Sequence, residues 1–222
     1  MKRRPTGAPR FADSVFVNCP FDRDYSPLFE SIIFTVFDCG FVPRSALEFT
    51  DSGTVRIGKL KNLIKACRYA IHDLSRVQLS QPGGLPRFNM PFELGLDLGA
   101  RVFGAGRLAR KECLILEGEP YSFQKSLSDI AGQDIIPHGN SPDRVLAAVR
   151  NWLQGASGRR TVPGTNRIRE RFTAFADDLP ELANAADINK NQLTFLDYAH
   201  LVEGWLAHSG MHSGSAKQRL GS

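Results

Sequence analysis

Short apolar runs alternate with longer segments of helical periodicity over the first two thirds of the chain. Residues 14–19 (SVFVNC) and 69–72 (YAIH) are compact, mostly apolar runs, which are typical of buried strands. Residues 26–38 instead repeat apolar positions three and four apart, after a Ser-Pro helix start signal. On this pattern we predict five strands, at 14–19, 41–47, 69–72, 113–116 and 133–136. Helices are predicted between and after them at 26–38, 54–67, 90–103 and 142–153.

Strands that alternate with helices in this way form a parallel sheet covered by helices on both faces. We therefore predict an α/β fold with a five-stranded parallel sheet in the flavodoxin-like order 2-1-3-4-5. Residues 155–166 have the composition of a linker. Beyond them we predict helices at 167–176, 178–187 and 193–207, which are too few to form much of a core alone. They form a small C-terminal helical appendage, packed either on the α/β domain or on a second copy of the chain.

Charge divides the chain into a neutral body and two basic ends. The net charge is +5, but residues 1–10 carry +4 and residues 208–222 carry +2. Residues 11–154 balance 16 basic against 16 acidic side chains, and residues 155–207 carry −1. This division argues against a broadly basic nucleic-acid-binding domain and leaves only weak contacts of the ends with nucleic acid or acidic surfaces. We predict a basic flexible tail at 1–12, an α/β domain at 13–154 and a disordered tail at 208–222.

Composition excludes several other classes of protein. The longest apolar runs fall far short of the roughly 20 residues that a membrane helix needs, and no secretory signal is visible. We therefore expect a cytoplasmic protein with no membrane partner. Cys19, Cys39, Cys67 and Cys113 lie far apart without a C-x-x-C pair, which is typical of reduced thiols. The five scattered histidines do not supply a zinc cluster, so no metal is expected.

A ligand site is predicted at one edge of the sheet. Ligands of an open parallel sheet bind beyond the carboxyl ends of its strands, where the strand order reverses. For the order 2-1-3-4-5 this point lies between strands 1 and 3. The candidates that four separate segments bring there are Phe21, Asp22, Tyr25, Arg56, Asp73, Ser75, Asn89 and Glu93.

Glu93 is the first of these candidates, because it lies about one turn into its predicted helix. The positive end of a helix favours an ionised carboxylate, which is the form that a nucleophile or a cation-stabilising group needs. Acids near helix starts also occur simply because they complement the helix dipole. Spacing alone therefore leaves a functional and a structural interpretation of Glu93 open.

Four other candidates also carry two interpretations each. The turn at 52–54 (SGT), with Arg56 beside it, suits either a phosphate or an ordinary helix cap. Asp73 either accepts ribose hydroxyls or caps the turn after its strand. Asp22 and Tyr25 either line the crevice or serve as a turn residue and a packing aromatic.

Three further polar residues are interpreted structurally. Asn89 is suited to cap the helix at 90–103, and His72 is expected to belong to its strand. His138 is a loop histidine without an evident partner. The sequence contains neither a Ser-His-Asp order nor a nucleophile elbow.

At three points the sequence resembles nucleoside 2-deoxyribosyltransferases. Residues 18–22 (NCPFD) look like the "PF" loop after that family's first strand, and residues 70–75 (AIHDLS) are similar to its third strand. Residues 92–99 (FELGLDLG) look like the helix start that carries the family's catalytic glutamate. TIR domains, some of which cleave NAD, share the architecture and a glutamate on the corresponding helix. The Asn-Met-Pro-Phe-Glu-Leu-Gly run also resembles uncharacterised bacterial TIR-like proteins, and the resemblance covers roughly residues 13–153.

The resemblance implies chemistry at an N-glycosidic bond, which joins a base to a ribose. Such a bond breaks through an oxocarbenium-like sugar, whose positive charge a carboxylate stabilises or attacks. By this resemblance Glu93 takes that role, Asp22 and Asp73 orient ribose or base, and Phe21 or Tyr25 stacks on the base. Arg56 faces phosphate if the substrate is a nucleotide or NAD. In that case NAD is a substrate, and the resemblance implies no cofactor.

Ser75 and Asn89 complete the expected substrate-binding set, and Asn89 departs from the family pattern. TIR NADases often carry an aromatic residue at that position, four residues before the glutamate. No second acid is placed as a general acid. The look-alikes also imply a role in signalling or defence.

Enzymatic activity is therefore one of three hypotheses. The first is cleavage or transfer of an N-glycosidic bond. The second is a non-catalytic module in which the same crevice holds a nucleotide-type signal and the helical appendage transmits its presence. The third is a self-assembling module that forms homo-oligomers.

Overall fold

A computed structural model describes residues 9–76, 88–125 and 127–218, with side chains as far as residue 209. Five parallel strands form one sheet in the order β2-β1-β3-β4-β5, which confirms the predicted fold class and strand order. The strands are β1 Ser14–Asn18, β2 Val42–Arg44, β3 Tyr69–Asp73, β4 Glu112–Glu117 and β5 Ile135–Pro137. The helices are α1 Ser26–Asp38, α2 Arg56–Ala66, α3 Asn89–Phe103, α4 Pro142–Ser157, α5 Thr165–Ala185 and α6 Phe195–Gln218.

The two faces of the sheet are covered by different helices. Val15 and Val17 of β1 share a core with α1 and α4, while Phe16 between them packs with α2 on the other face. This alternation follows from the two-residue period of a strand. Every residue of β1 and β3 is buried, as expected for central strands of a parallel sheet.

The helical appendage packs on α1, which resolves the choice left open by the sequence. Phe34 of α1 lies 5.5 Å from Phe175 of α5 and 6.1 Å from Trp205 of α6, between ring centroids. The predicted break between helices at 176–178 is wrong, because α5 is continuous and contains Pro180. The apolar face of α5 is buried before and after the proline, and this packing outweighs the one hydrogen bond that proline removes.

Several predicted boundaries move. β2 ends at Arg44, and Ser45 then starts a 3-10 turn closed by a capping box with Glu48. α4 continues to Ser157, so the link to α5 is shorter than predicted. α6 continues to Gln218, so much of the predicted disordered tail at 208–222 is helical. Most of the predicted basic tail at 1–12 lies outside the described residues.

Within the described ranges, no helix is both long enough and apolar enough to cross a membrane.

Asp38 is a buried charge at the junction of α1 and α5. One of its carboxylate oxygens lies 2.7 Å from the Arg171 guanidinium, and the other has no hydrogen-bond partner among the described residues. Burial raises the pKa of Asp38 from 3.8 to about 6, against the opposing effect of Arg171. The folded state therefore holds this proton more tightly than the unfolded state does.

We expect the free energy of unfolding of the wild type, relative to Asp38→Asn, to fall as pH rises from 4 to 7. A raised folded-state pKa stabilises the protonated fold, and that stabilisation is lost between the unfolded and folded pKa values. The difference amounts to about 3 kcal/mol, at about 1.4 kcal/mol per pKa unit. Urea unfolding of both proteins at several pH values measures it, and other titrating groups cancel in the comparison. A difference that stays constant with pH contradicts the assignment.

Candidate functional site

Three predicted acids meet around one buried thiol at the carboxyl edge of the sheet. Cys19, which follows β1, is fully buried. Burial raises the pKa of its thiol well above the usual value, and the nearby carboxylates of Asp73, Glu93 and Asp22 raise it further. The structure thus brings together the ends of β1 and β3 and the first turns of α3, as the strand order requires.

Glu93 is the buried acid of this group that faces a solvent-exposed cation. Its side chain is 4% exposed, and one carboxylate oxygen lies 3.4 Å from the guanidinium of Arg56 on α2, which is 64% exposed. Burial raises the pKa of Glu93 above its usual 4.5, and neither Arg56 nor His72 offsets the shift. The direction is opposite to that expected from the helix dipole alone, because desolvation is the larger effect.

Replacing Arg56 with methionine is expected to raise the pKa of Glu93 further, because the variant loses the cation that favours the ionised carboxylate. A carbon-13 NMR titration of the Glu93 carboxyl group measures the change. Lys61→Met, on the same helix, is the matched control. An unchanged Glu93 titration in Arg56→Met contradicts the pairing.

Asp73 is fully buried and is held by protein donors. The Tyr25 hydroxyl donates to one oxygen at 2.5 Å, and the Ser75 backbone N–H donates to the other at 2.8 Å. The Ser75 hydroxyl also donates to Asp73, and His138 Nε2 lies 3.0 Å from a carboxylate oxygen of Asp73. Burial alone raises the pKa of Asp73, but the hydrogen bonds from His138, Ser75 and Tyr25 together hold it below 3.8.

These contacts favour one of the two interpretations of Asp73. Its oxygens cap the turn after β3 and tie three loops together, as the capping interpretation expects, while the expectation that they accept ribose hydroxyls stays a prediction. Tyr25 is also buried, so its ring offers no face to a base. Of the two aromatic residues expected to stack on a base, only Phe21 is exposed and therefore available for stacking.

His138 has a partner that the sequence did not reveal. Its Nδ1 accepts a hydrogen bond from the Asn140 backbone N–H at 3.0 Å, so Nε2 carries the proton. Nε2 faces both Asp73 and the Ser75 hydroxyl. A nucleophilic triad needs its acid and its nucleophile on opposite ring nitrogens. The Asp73–His138–Ser75 group is therefore a structural cluster and not such a triad.

A chain of buried polar residues anchors α3 beneath Glu93. Asn18 donates from Nδ2 to His72 Nδ1 at 2.9 Å and to the backbone carbonyl of Met90 at 3.1 Å. His72 Nε2 lies 3.7 Å from Asp97, and Asp97 lies 3.0 Å from Lys111 Nζ. Asp97 is four residues after Glu93, so both acids project from the same side of the helix. This chain fixes the position of α3 and, with it, that of Glu93.

The sequence did not reveal Asp97 and Lys111 as part of this arrangement. One signal was available in the pair of acids at positions 93 and 97, on the buried face of an amphipathic helix. Lys111 gave none, because its partners become neighbours only in the fold: Nζ donates to the backbone carbonyls of Ile64 and Cys67 at the end of α2.

Three further predicted features are placed differently from expectation. Asn89 does not cap α3, which begins at Asn89 itself, with Phe88 in the cap position. The turn at 52–54 does not cap α2 either: the Gly53 N–H and the Thr54 hydroxyl donate to Asp51, and α2 begins only at Arg56. Asp22 accepts from the Tyr25 N–H and pairs with Arg76 at 3.3 Å. Asp22 is thus a turn residue at the edge of the crevice.

The four cysteines are free, and the described residues contain no group of three or more metal-ligating side chains placed to hold an ion.

A groove of about 770 Å³ extends the site toward the appendage. Phe21 and Asp22 line it from the β1–α1 loop, while Lys190 and Phe195 line it from the start of α6 and the turn before it. The ring of Phe21 packs edge-on against Phe29, which contacts Phe195. The appendage therefore forms one wall of the groove beside the predicted crevice.

Comparisons of the chain with protein-family models, with curated proteins and with solved structures give no match.

Proposed function

We propose that this chain breaks or transfers the N-glycosidic bond of a nucleotide, nucleoside or NAD, with Glu93 as the reacting carboxylate. The observation that carries the proposal is the position of Glu93: a buried carboxylate at the reversal point of the sheet, beside one exposed guanidinium. The motif resemblance to deoxyribosyltransferases and TIR-like proteins supports the same chemistry. It also supports a cytoplasmic role in signalling or defence.

In the proposed reaction the bond between the anomeric carbon and the base nitrogen breaks. Its electron pair leaves with the base, which takes up a proton, and positive charge develops on the sugar. The Glu93 carboxylate stabilises this charge or forms a transient bond to the anomeric carbon. Water or an acceptor nucleophile then completes the new bond to that carbon. Arg56, whose guanidinium is largely exposed, is suited to contact a substrate phosphate, and Phe21 to stack on the base.

A second candidate function, binding without catalysis, is favoured by one observation. Asp73 is saturated by Tyr25, Ser75 and His138, and Asp22 is paired with Arg76. Among the described residues of the crevice, these two acids are therefore not free to protonate a leaving base. A crevice of this kind holds a nucleotide without cleaving it, and the appendage wall of the neighbouring groove would sense its presence.

The test is incubation of the wild-type protein with NAD and with a panel of purine and pyrimidine nucleosides and nucleotides. Release of free base, followed by chromatography, supports the catalytic proposal. Absence of release, together with a ligand-dependent rise in melting temperature, supports binding instead, because a ligand that prefers the native state stabilises it. Sedimentation at high protein concentration addresses self-assembly in the same samples, and a monomer removes support for an oligomeric module.

A further inference from the structure

The charges of the body balance in number but not in space. Residues 54–72 and 98–111 contain no acidic residue, and they meet on the side of the molecule formed by α2 and α3. Besides Arg56, which pairs with Glu93, five exposed cations lie on these two segments: Lys61, Lys65, Arg101, Arg107 and Arg110. Within the described ranges, none of the five forms an ion pair.

Two of the most exposed apolar side chains lie among these cations. Phe103 is 90% exposed and Val102 is 70% exposed, at the last turn of α3 before the Gly104–Gly106 bend. At these exposures the two adjacent side chains project into solvent instead of packing against the rest of the protein. We name the five cations together with Val102 and Phe103 the basic-apolar patch.

An apolar groove opens beside the projecting side chains. Its volume is about 410 Å³, and it lies between α2 and α3, with Ile64, Leu96 and Leu108 in its lining and Lys61 and Lys65 also lining it. Gly95 and Gly99 line the α3 wall, where a Cβ would meet nothing within 4 Å at Gly95 and only the Phe103 ring, at 3.9 Å, at Gly99. The groove thus combines an apolar floor with ammonium groups.

The N-terminal segment reaches the same side of the molecule. The Arg107 guanidinium lies over the ring of Phe11, 5.1 Å from its centroid. Residues 1–8, which precede the described chain, carry Lys2, Arg3 and Arg4 and no acid. Three further cations therefore precede Phe11 in the sequence.

We infer that the basic-apolar patch docks on an anionic lipid bilayer. Clustered Lys and Arg attract anionic headgroups, and projecting apolar side chains gain free energy by entering the interface between headgroups and acyl chains. A nucleic acid would satisfy the cations but would leave Val102 and Phe103 without a favourable environment. The inference does not rest on the proposed function, and it differs from the sequence-based expectation of no membrane partner, which considered only segments long enough to span.

The test is flotation of the full chain with two kinds of vesicle: phosphatidylcholine alone, and phosphatidylcholine with about one third phosphatidylglycerol. Binding is expected only to the second kind and should weaken with added salt, because salt screens exposed charges. Phe103→Ser is expected to weaken binding roughly tenfold, as an inserted aromatic ring is lost. Arg107→Gln is expected to weaken it about fivefold, the effect of one cation near a charged surface.

Matched controls lie on the opposite edge of the sheet. Tyr121→Ser removes an aromatic residue as exposed as Val102, and Lys125→Gln removes an exposed cation, and neither should change vesicle binding. Circular dichroism checks that each variant is folded. The inference is overturned if the protein ignores anionic vesicles, or if Phe103→Ser binds them as tightly as the wild type. It is also overturned if the patch variants lose affinity for nucleic acid or for an acidic protein while vesicle binding is unaffected.

Discussion

Glu93→Gln is expected to release free base roughly 10³-fold more slowly than the wild type at saturating substrate. Glutamine keeps the size of the side chain but removes the negative charge that stabilises or attacks the developing oxocarbenium ion. Loss of one group that stabilises charge in a transition state lowers kcat by about 10²- to 10³-fold, and loss of a nucleophile lowers it further. Initial rates of base release measure the effect, with KM expected to change much less than kcat.

Stability provides an independent check on this variant. Because burial raises the pKa of Glu93, its charge disfavours folding at neutral pH, so Glu93→Gln should melt at the wild-type temperature or above it. Glu112→Gln is the matched control and should retain full activity. The Glu112 carboxylate is partly exposed and lies at the amino end of β4, away from the carboxyl edge that carries Glu93. If Glu93→Gln releases base as fast as the wild type, the carboxylate has no part in the reaction.

The pH profile separates a catalytic carboxylate from a merely structural one. The ionised form of Glu93 is the reacting form, so the wild-type rate should rise with pH through the raised pKa of Glu93. This acid limb should lie above the 4.5 of an unperturbed glutamate and should be absent from the residual rate of Glu93→Gln.

The strand order was predictable because it follows from the alternation of strand and helix patterns along the chain, which a single sequence shows. Two helical patterns and the predicted strand at 41–47 separate the runs at 14–19 and 69–72, and parallel strands joined by right-handed crossovers leave few arrangements. The same logic placed Asp22, Asp73 and Glu93 at one edge before any side chain was located. The break predicted at 176–178 was wrong because the local pattern did not show that the buried face of α5 continues through this point and past Pro180.

Side-chain partners were not predictable, because they join segments that lie far apart in the chain. Asn18 meets His72 and Met90, and His138 meets Asp73, only after the sheet has formed. Burial decides the rest: Tyr25 and Phe21 are both aromatic residues of the same loop, yet one lies in the core and the other is exposed. No local pattern distinguishes them, since the difference depends on what packs against each.

Asp73→Asn is expected to destabilise the fold by about 3 kcal/mol or more, the scale of breaking a buried charged network by altering one member. The asparagine amide replaces one acceptor oxygen with a donor, which then faces either Ser75 or the hydroxyl of Tyr25 and the Nε2–H of His138. Urea unfolding at neutral pH measures the loss, with Asp22→Asn as control, because that carboxylate is partly exposed. Wild-type stability from this group is present above pH 3.8 and is lost as pH falls through the lowered pKa of Asp73, a dependence that the variant should lack. The pKa of Asp38 shifts in the opposite direction, although the side chains of Asp38 and Asp73 are 2% and 0% exposed. The number of donors around a buried carboxylate, and not burial itself, therefore sets whether its ionised form stabilises or destabilises the fold.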